Sequence, residues 1–388
     1  MSTDQPPWRI RFNAPFVAGN ELTHIRHAVE NGRLSGDGKY TRLCHAWLES
    51  RLGCNTALLT HSGTSALEMA ALLCDIGPGD EVIMPSFTFV STANAFVLRG
   101  ATPVFVDIGR DSLNIDPQRI RDALTPRTRA IVPVHYGGVP CAMDDIVAIA
   151  AQHQLRVIED AAHAVMARNS AQQLGSIGDL GCLSFHETKN IISGEGGALL
   201  VNNPELVERA RILWEKGTNR DAFNRGTVDK YTWVDQGSSF LPSELTAAFL
   251  FGQLEQAERI IERRVKLCAG YRQRLQILQD RGLAQLPQTN PSGQENGHLF
   301  YLIVKDIAQR DRLIAHLKSA GIMAAFHYVP LHSSPGGQKY ARHVGTMNVT
   351  DWASDGLLRL PMHNQLSEAD IAEVADSVLA YFQLPASA

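Results

Sequence analysis

Ser184-Phe185-His186-Glu187-Thr188-Lys189-Asn190, followed by Ser193-Gly194-Glu195-Gly196-Gly197, is the stretch from which the fold of this chain is read. Apolar strands are expected on either side, over 181–185 before it and 198–201 after it. A lysine is thereby held just past a strand end. Three glycines within four residues follow it, where backbone can approach a ligand closely. A lysine amine held this way can form a Schiff base with a carbonyl compound, pyridoxal phosphate among them. Most lysines are solvated surface charges, so the reading depends on what surrounds this one.

Working outward, strand and helix alternate. Strands are expected at 57–60, 81–84, 103–107, 130–135 and 156–160, and helices at 66–74, 92–98, 116–124 and 143–153. Short apolar strands separated by helices predict an α/β fold with a mostly parallel sheet covered on both faces. Ligands of such sheets collect at the carboxyl ends of the strands. Asp107, His135, Asp160 and Ser184 stand at those ends.

Upstream, residues 20–52 read as helix, break, helix, with Leu22, Ile25 and Val29 on one face of the first helix. The break, 31–39, is rich in turn residues and ends at Lys39. Downstream come a helix over 204–216 and a polar passage over 217–239 carrying Arg220, Arg225, Lys230, Tyr231 and Trp233. That passage is too long for an idle connection, so a substrate or subunit contact is expected there. One long helix over 243–278 then leads into an α+β unit. That unit comprises strands at 298–304 and 323–329, a helix at 310–319, and a last helix opened by the capping pattern at Ser367–Asp370. Two domains are expected: 1–242, large and cofactor-binding, and 243–388, the linking helix with a small C-terminal domain.

Composition narrows the function. The 388 residues are 44% hydrophobic and 20% charged with a net charge of −4, as in an ordinary globular enzyme and without the basic runs of a nucleic-acid or membrane-surface binder. Residues 1–9 are polar and lack the core of a signal peptide, and no apolar run approaches the ~20 residues of a membrane span. A cytoplasmic location is expected. Six scattered cysteines without a CxxC pair, and fourteen histidines without ligand spacing, argue against disulfides or a metal site.

Pyridoxal phosphate needs a lysine, a carboxylate for its ring nitrogen, a phosphate cradle and a flat apolar surface. Lys189 supplies the first. Asp160 at the end of 156–160 supplies the second, its alternative role being a helix cap. Thr64 and Ser65, at the helix start after His61-Ser62-Gly63, supply the cradle together with Ser184. Plain capping by Ser62 or Thr64 is the alternative there. Phe89 supplies the surface, its alternative being a core position. Lys39, His327 and Tyr328 are candidate substrate contacts, or else packing and surface residues.

Glu159-Asp160-Ala161-Ala162-His163, Ser184–Asn190, Gly194–Gly197 and Gly63-Thr64-Ser65-Ala66-Leu67 resemble the DegT/DnrJ/EryC1/StrS sugar aminotransferase family over nearly the whole chain. Residues 82–100, 215–220, 228–233 and 326–332 further resemble the enterobacterial branch that makes dTDP-4-amino-4,6-dideoxygalactose. The resemblance implies an aspartate-aminotransferase-like fold (fold type I), a pyridoxal-phosphate cofactor, and a homodimer whose active sites lie at the subunit interface. It implies a ping-pong reaction in which L-glutamate leaves its amine on the cofactor as 2-oxoglutarate departs. The amine then passes to C4 of dTDP-4-dehydro-6-deoxy-D-glucose, in surface-polysaccharide synthesis. It places His163 against the cofactor's phenolic oxygen. It also implies a cross-subunit phosphate contact, usually from Asn in a Gly-x-Asn run; this chain has Gly237-Ser238-Ser239, leaving Ser239 as the shorter contact. Three rivals remain. A cofactor-dependent sugar dehydratase would carry histidine in place of Lys189. The others are a transaminase acting at C3 or with opposite C4 stereochemistry, and a cofactor-binding regulator without turnover.

Overall fold

The computed structural model describes residues 8–290 and 293–386; most of the 1–9 stretch read above for a leader therefore lies outside the described residues. The chain opens with α1 (Glu21–Glu30) and α2 (Lys39–Leu52). It then alternates through β1 (Thr56–Thr60), α3 (Gly63–Leu73), β2 (Glu81–Pro85), α4 (Val90–Val97), β3 (Thr102–Val106), α5 (Pro117–Ala123), β4 (Thr128–Ile131), α6 (Met143–His153) and β5 (Arg156–Asp160). β6 (Leu180–Ser184) and β7 (Gly197–Val201) flank the lysine loop. Helices α7 (Val207–Trp214), α8 (Arg220–Asn224), α9 (Glu244–Leu254) and α10 (Ala257–Asp280) come next. The remainder is β8 (Tyr301–Ile303), α11 (Ile307–Ser319), β9 (Ala325–Phe326), α12 (Pro335–Tyr340), β10 (Arg342–His343), α13 (Asn348–Gly356), β11 (Leu357–Arg359) and α14 (Glu368–Tyr381).

Eight strands form one sheet in the order β1-β7-β6-β5-β4-β2-β3-β10, parallel except that β7 runs against both neighbours. Period-two alternation decides the layering. Leu58, Leu199, Cys182, Ile158 and Met84 enter one core, while Leu59, Leu200 and Leu183 enter another and Val157 and Ile83 a third. The strands are apolar on both faces, so helices must cover both. Successive connections leave β2 toward β3 on one side and β4 toward β5 on the other. The carboxyl ends of β2 and β4 therefore flank a topological switch point. A second sheet, β8-β11-β9, is antiparallel and packs beneath α10, α11 and α14 through Leu302, Leu358, Leu313 and Val374.

Several expectations are corrected. The face carrying Leu22, Ile25 and Val29 does not point inward: Leu22 is 68% and Val29 54% exposed, while Glu21 and Ala28 are buried. Glu21 turns α1 around, because its carboxylate accepts the Ala18 and Gly19 N–H groups and the Gln253 amide. The single helix over 243–278 is two, broken at Gln256 (φ −112°, ψ 13°). The strand expected over 323–329 pairs only at Ala325 and Phe326, beyond which the chain lines a cavity. The passage over 217–239 is closed on itself by bridges Glu215↔Ser239 and Thr218↔Trp233 and contains α8.

Several connections cross the expected division at 242/243, among them two backbone pairings. Ile10 bridges Ile322, and β10 joins β3 in the large sheet. Glu81, almost wholly buried, explains the second: its carboxylate accepts from Arg342 (2.7 and 3.0 Å), from Arg127, and from the Thr125 hydroxyl at 2.7 Å.

Candidate active site

A cavity of about 740 Å³ opens at the carboxyl ends of the large sheet and is closed from the other side by the small one. Asp160 ends β5, Ser184 ends β6, and Lys189 stands in the loop between β6 and β7. That loop folds back on itself. Phe185 N–H reaches the Gly196 carbonyl at 2.8 Å, Glu187 N–H the Gly194 carbonyl, and Lys189 N–H the His186 carbonyl. Gly194 turns it at φ +79°, a conformation costly for side-chain-bearing residues. Gly197 permits close approach, since a Cβ there would strike the carbonyl group of Ser62. The N-terminus of α3 thus rests against the strand ends.

Lys189 lines the cavity. Burial lowers the amine's pKa to about 8, Asp160 opposing this and Arg359 reinforcing it. Asp160 is fixed by two donors, the Thr92 hydroxyl to Oδ2 at 2.7 Å and the Ala162 N–H to Oδ1 at 3.1 Å. Thr92 is in turn 2.8 Å from the Thr88 hydroxyl. Beneath this, Glu159 is fully buried and accepts the Gly175, Ile177 and Gly178 N–H groups and the His135 ring N–H, so the β5 end has little freedom to move.

His163 is held well below the usual imidazole pKa by burial, then by the charges of Lys189 and Arg359, and is therefore neutral. Its Nδ1 accepts the Gly137 N–H at 3.3 Å, so its proton sits on Nε2, 3.4 Å from the Tyr328 hydroxyl. Its ring stacks on His298 with centroids 4.1 Å apart.

Eight of the residues singled out from sequence line the cavity: Thr64, Phe89, Asp160, His163, Ser184, Lys189, His327 and Tyr328. Three do not. Ser62, rather than Thr64 or Ser65, caps α3, accepting the Ser65 N–H at 3.0 Å; Ser65 is turned toward Ser62. Thr64 faces the cavity and pairs with the Ser91 hydroxyl at 2.7 Å. Ser239 is exposed, its carbonyl accepting from His61 at 3.1 Å. Lys39 is exposed at the first position of α2. Phe89 immediately precedes α4, at the switch point, and is 57% exposed.

Sequence reasoning missed Thr92, His298 and Arg359. Thr92 stands four residues after Thr88 on the Phe89–Thr92 turn. Arg359 had one signal, a lone charge inside the apolar run Leu357-Leu358-Arg359-Leu360. Among the described residues no cluster could hold a metal ion, and no helix is long and apolar enough to cross a membrane.

The residues present fit pyridoxal phosphate. A buried amine faces a twice-bonded carboxylate across an apolar-walled cavity. Gly63 and Thr64, the first residues of α3, line it beside Ser184, and N–H groups at a helix start have no carbonyl partner within the helix. Comparison with known proteins agrees. The family description for DegT/DnrJ/EryC1/StrS aminotransferases matches residues 16–379. The spore coat polysaccharide biosynthesis protein SpsC of Bacillus subtilis (strain 168) is 35% identical over 379 residues, 95% of each chain. The structure of S. venezuelae DesV in complex with a ketimine intermediate is 32% identical, with a TM-score of 0.86 over 96% of this chain and 98% of that one. The aminotransferase TlmJ of Streptoalloteichus hindustanus is 29% identical, with a TM-score of 0.88 over 96% and 99%. Fold, site and sequence agree: the chain belongs to the DegT/DnrJ/EryC1/StrS family and is a pyridoxal-phosphate-dependent sugar aminotransferase of α/β, fold-type-I architecture.

Proposed function

We propose that the protein moves the amino group of L-glutamate to C4 of dTDP-4-dehydro-6-deoxy-D-glucose, yielding 2-oxoglutarate and dTDP-4-amino-4,6-dideoxy-D-galactose. The observation that carries the aminotransferase chemistry is the convergence of Lys189, Asp160 and His163 on one cavity. The sugar is supported by the runs over 82–100, 215–220, 228–233 and 326–332, which contribute Phe89, His327 and Tyr328 to that cavity. A related enzyme acting at C3, or with the opposite configuration at C4, is the second reading, because the named residues do not select a configuration.

Pyridoxal phosphate, when bound, supplies the carbonyl that takes up the amine and a ring that withdraws electrons. The protein's part follows from its own groups. Lys189, with a pKa near 8, has a neutral fraction at pH 7 and can take a proton from the donor's α-carbon and return it elsewhere. Asp160, oriented by Thr92 and Ala162, keeps a proton on the ring nitrogen. His163 offers an Nε2–H without adding charge, which suits a hydrogen bond to the phenolic oxygen. Thr64, Ser184 and the start of α3 receive the phosphate, and Phe89 covers one ring face. Burial of Lys189 and Asp160 keeps bulk water away from the reacting atoms.

The homodimer is part of this reading. The outward face of α1 with Leu22 and Val29, and the excursion over 217–239 with Trp233 78% and Tyr231 56% exposed, form apolar surface in search of a partner. Ser239, away from this chain's cavity, is proposed to reach the partner's phosphate site, and Lys39 to contact the sugar nucleotide. The division into domains 1–242 and 243–388 stays with this proposal, and so does a cytoplasmic role in polysaccharide synthesis such as enterobacterial common antigen.

The test is the absorbance of purified enzyme with added pyridoxal phosphate, first with L-glutamate and then with the dTDP-ketosugar. The expected result is a band lost on glutamate and restored by ketosugar, with NMR showing an axial C4 amine. A band that answers glutamate and ignores that sugar would remove the substrate assignment and leave the amine-transfer chemistry.

A further inference from the structure

Strand β11 carries a cation into the cavity that none of the roles above uses. Arg359 pairs with Ala325 of β9 on one side and Tyr301 of β8 on the other, so its backbone is fixed by both neighbours. Its guanidinium lies over the Phe12 ring, 4.7 Å from the centroid, and Nη2 reaches only the Phe326 carbonyl at 3.5 Å. Nε is shut off from water without a hydrogen-bond partner. Among the described residues it forms no ion pair. A desolvated guanidinium left this way is costly unless a ligand completes it.

The cavity's own carboxylates are committed elsewhere. Asp160 is held by Thr92 and Ala162, and Glu195, mostly exposed, faces His186 at 3.6 Å. Arg359 and Lys189 line the same chamber, and the field of Arg359 reaches both Lys189 and His163. The missing partner is an anion close to the reacting centre. In an amino-acid donor the α-carboxylate is bonded to the very carbon that loses its amine. In a nucleotide sugar the nearest phosphoryl oxygen is on C1, across the ring from C4.

We propose that Arg359 binds the α-carboxylate of the amino donor, fixing the donor's α-carbon beside Lys189, and that this contact is released when the sugar enters. The planar fork of a guanidinium matches a carboxylate with two parallel N–H···O bonds, which an ammonium cannot reproduce. The inference rests on the aminotransferase reading above.

Each half-reaction is followed separately by absorbance in wild-type, Arg359→Lys and Arg359→Met enzyme, with cofactor uptake and melting temperature confirming that the variants fold. In Arg359→Met the L-glutamate concentration for half-maximal rate is expected to rise about 100-fold or more, by the loss of a charge-assisted bidentate contact. Arg359→Lys should recover part of that loss. The ketosugar half-reaction, started from enzyme loaded with pyridoxamine phosphate, should change by less than about threefold, a size near that of uncoupled sites. Wild type should also bind L-glutamate far more tightly than its α-amide, and Arg359→Met should lose that preference. A defect confined to the ketosugar half would instead assign Arg359 to the diphosphate and overturn the inference. So would a variant that keeps the glutamate constant or the α-amide discrimination. Failure of wild-type enzyme itself to respond to glutamate would strike the donor assignment, before any variant is compared.

Discussion

Lys189 shows how a residue's surroundings set its chemistry. Burial depresses its pKa, and Asp160 only partly restores it, so an amine that would be charged at pH 7 on the surface has its midpoint near 8. Reaction of the apoenzyme with pyridoxal phosphate needs the neutral amine. Its rate is expected to climb as pH rises toward 8 and to level above it, whereas a lysine of ordinary pKa would keep climbing past 10. A stopped-flow pH series reads this directly, and Lys189→Ala should abolish turnover and lose the band of the lysine-linked cofactor, while cofactor can still bind. Thr92 gives a graded counterpart. Thr92→Val removes the 2.7 Å bond to Asp160 Oδ2 and leaves the carboxylate one fixed donor. A lost hydrogen bond to a charged group costs about 1.5–3 kcal/mol, so a fall of roughly 10- to 100-fold in the chemical step is expected. Asp160→Asn should fall further, because it removes the charge as well.

Among the elements, the start of α3 carries the phosphate site, and two tight packings hold it there. Gly63 lies against Ser184 Cβ, and Gly197 against the Ser62 carbonyl group. Gly197→Ala forces these strands and the helix apart. Cofactor affinity should drop at least tenfold in equilibrium dialysis, while the fold, carried by the buried Leu199, Leu200 and Val201, is retained. α2 is positioned by a different device. Glu244 of α9, itself buried, accepts the Gly38, Tyr40 and Thr41 N–H groups at 2.8–3.0 Å, and so caps α2 from a helix two hundred residues away. That cap places Lys39 on the outer surface of this chain.

For the whole molecule, the junction of the C-terminal part with the large sheet depends on Glu81. Its carboxyl pKa is lowered to about 2, chiefly by the bond from Arg342, against burial, with Thr125 and Arg127 assisting. A carboxylate depressed from 4.5 contributes stability that is complete above pH 4.5 and is lost as pH falls toward 2. Glu81→Gln should therefore destabilise the protein at pH 7 by about 1–3 kcal/mol, and the gap from wild type should close as the pH approaches 2. Hydrogen exchange at residues 342–344 should rise in the variant before exchange elsewhere does, because β10 is held to β3 by only two residue pairs.

Local pattern determined much of this protein. Asp160, Ser184 and Thr64 were legible because each stands at the end of a strand or the start of a helix whose period is written in adjacent residues, and Lys189 because its loop is bounded by two such strands; the sheet fixes which end of each strand faces the ligand. Adjacent helix positions diverge by about 100°, and for that reason Thr64 enters the cavity while Ser65 does not. Glu21 reversed the face of α1 through bonds to Gln253, far along the chain, which no reading of α1 alone contains. Arg359, Thr92 and the capture of β10 by Glu81 were decided only by the tertiary structure. Arg359 meets Phe12 only once the small sheet has packed against the N-terminal segment, and Thr92 meets Asp160 only once α4 is packed at the carboxyl end of β5. Periodicity records which side of an element is apolar; which polar groups meet across the fold depends on packing between segments that are distant in sequence.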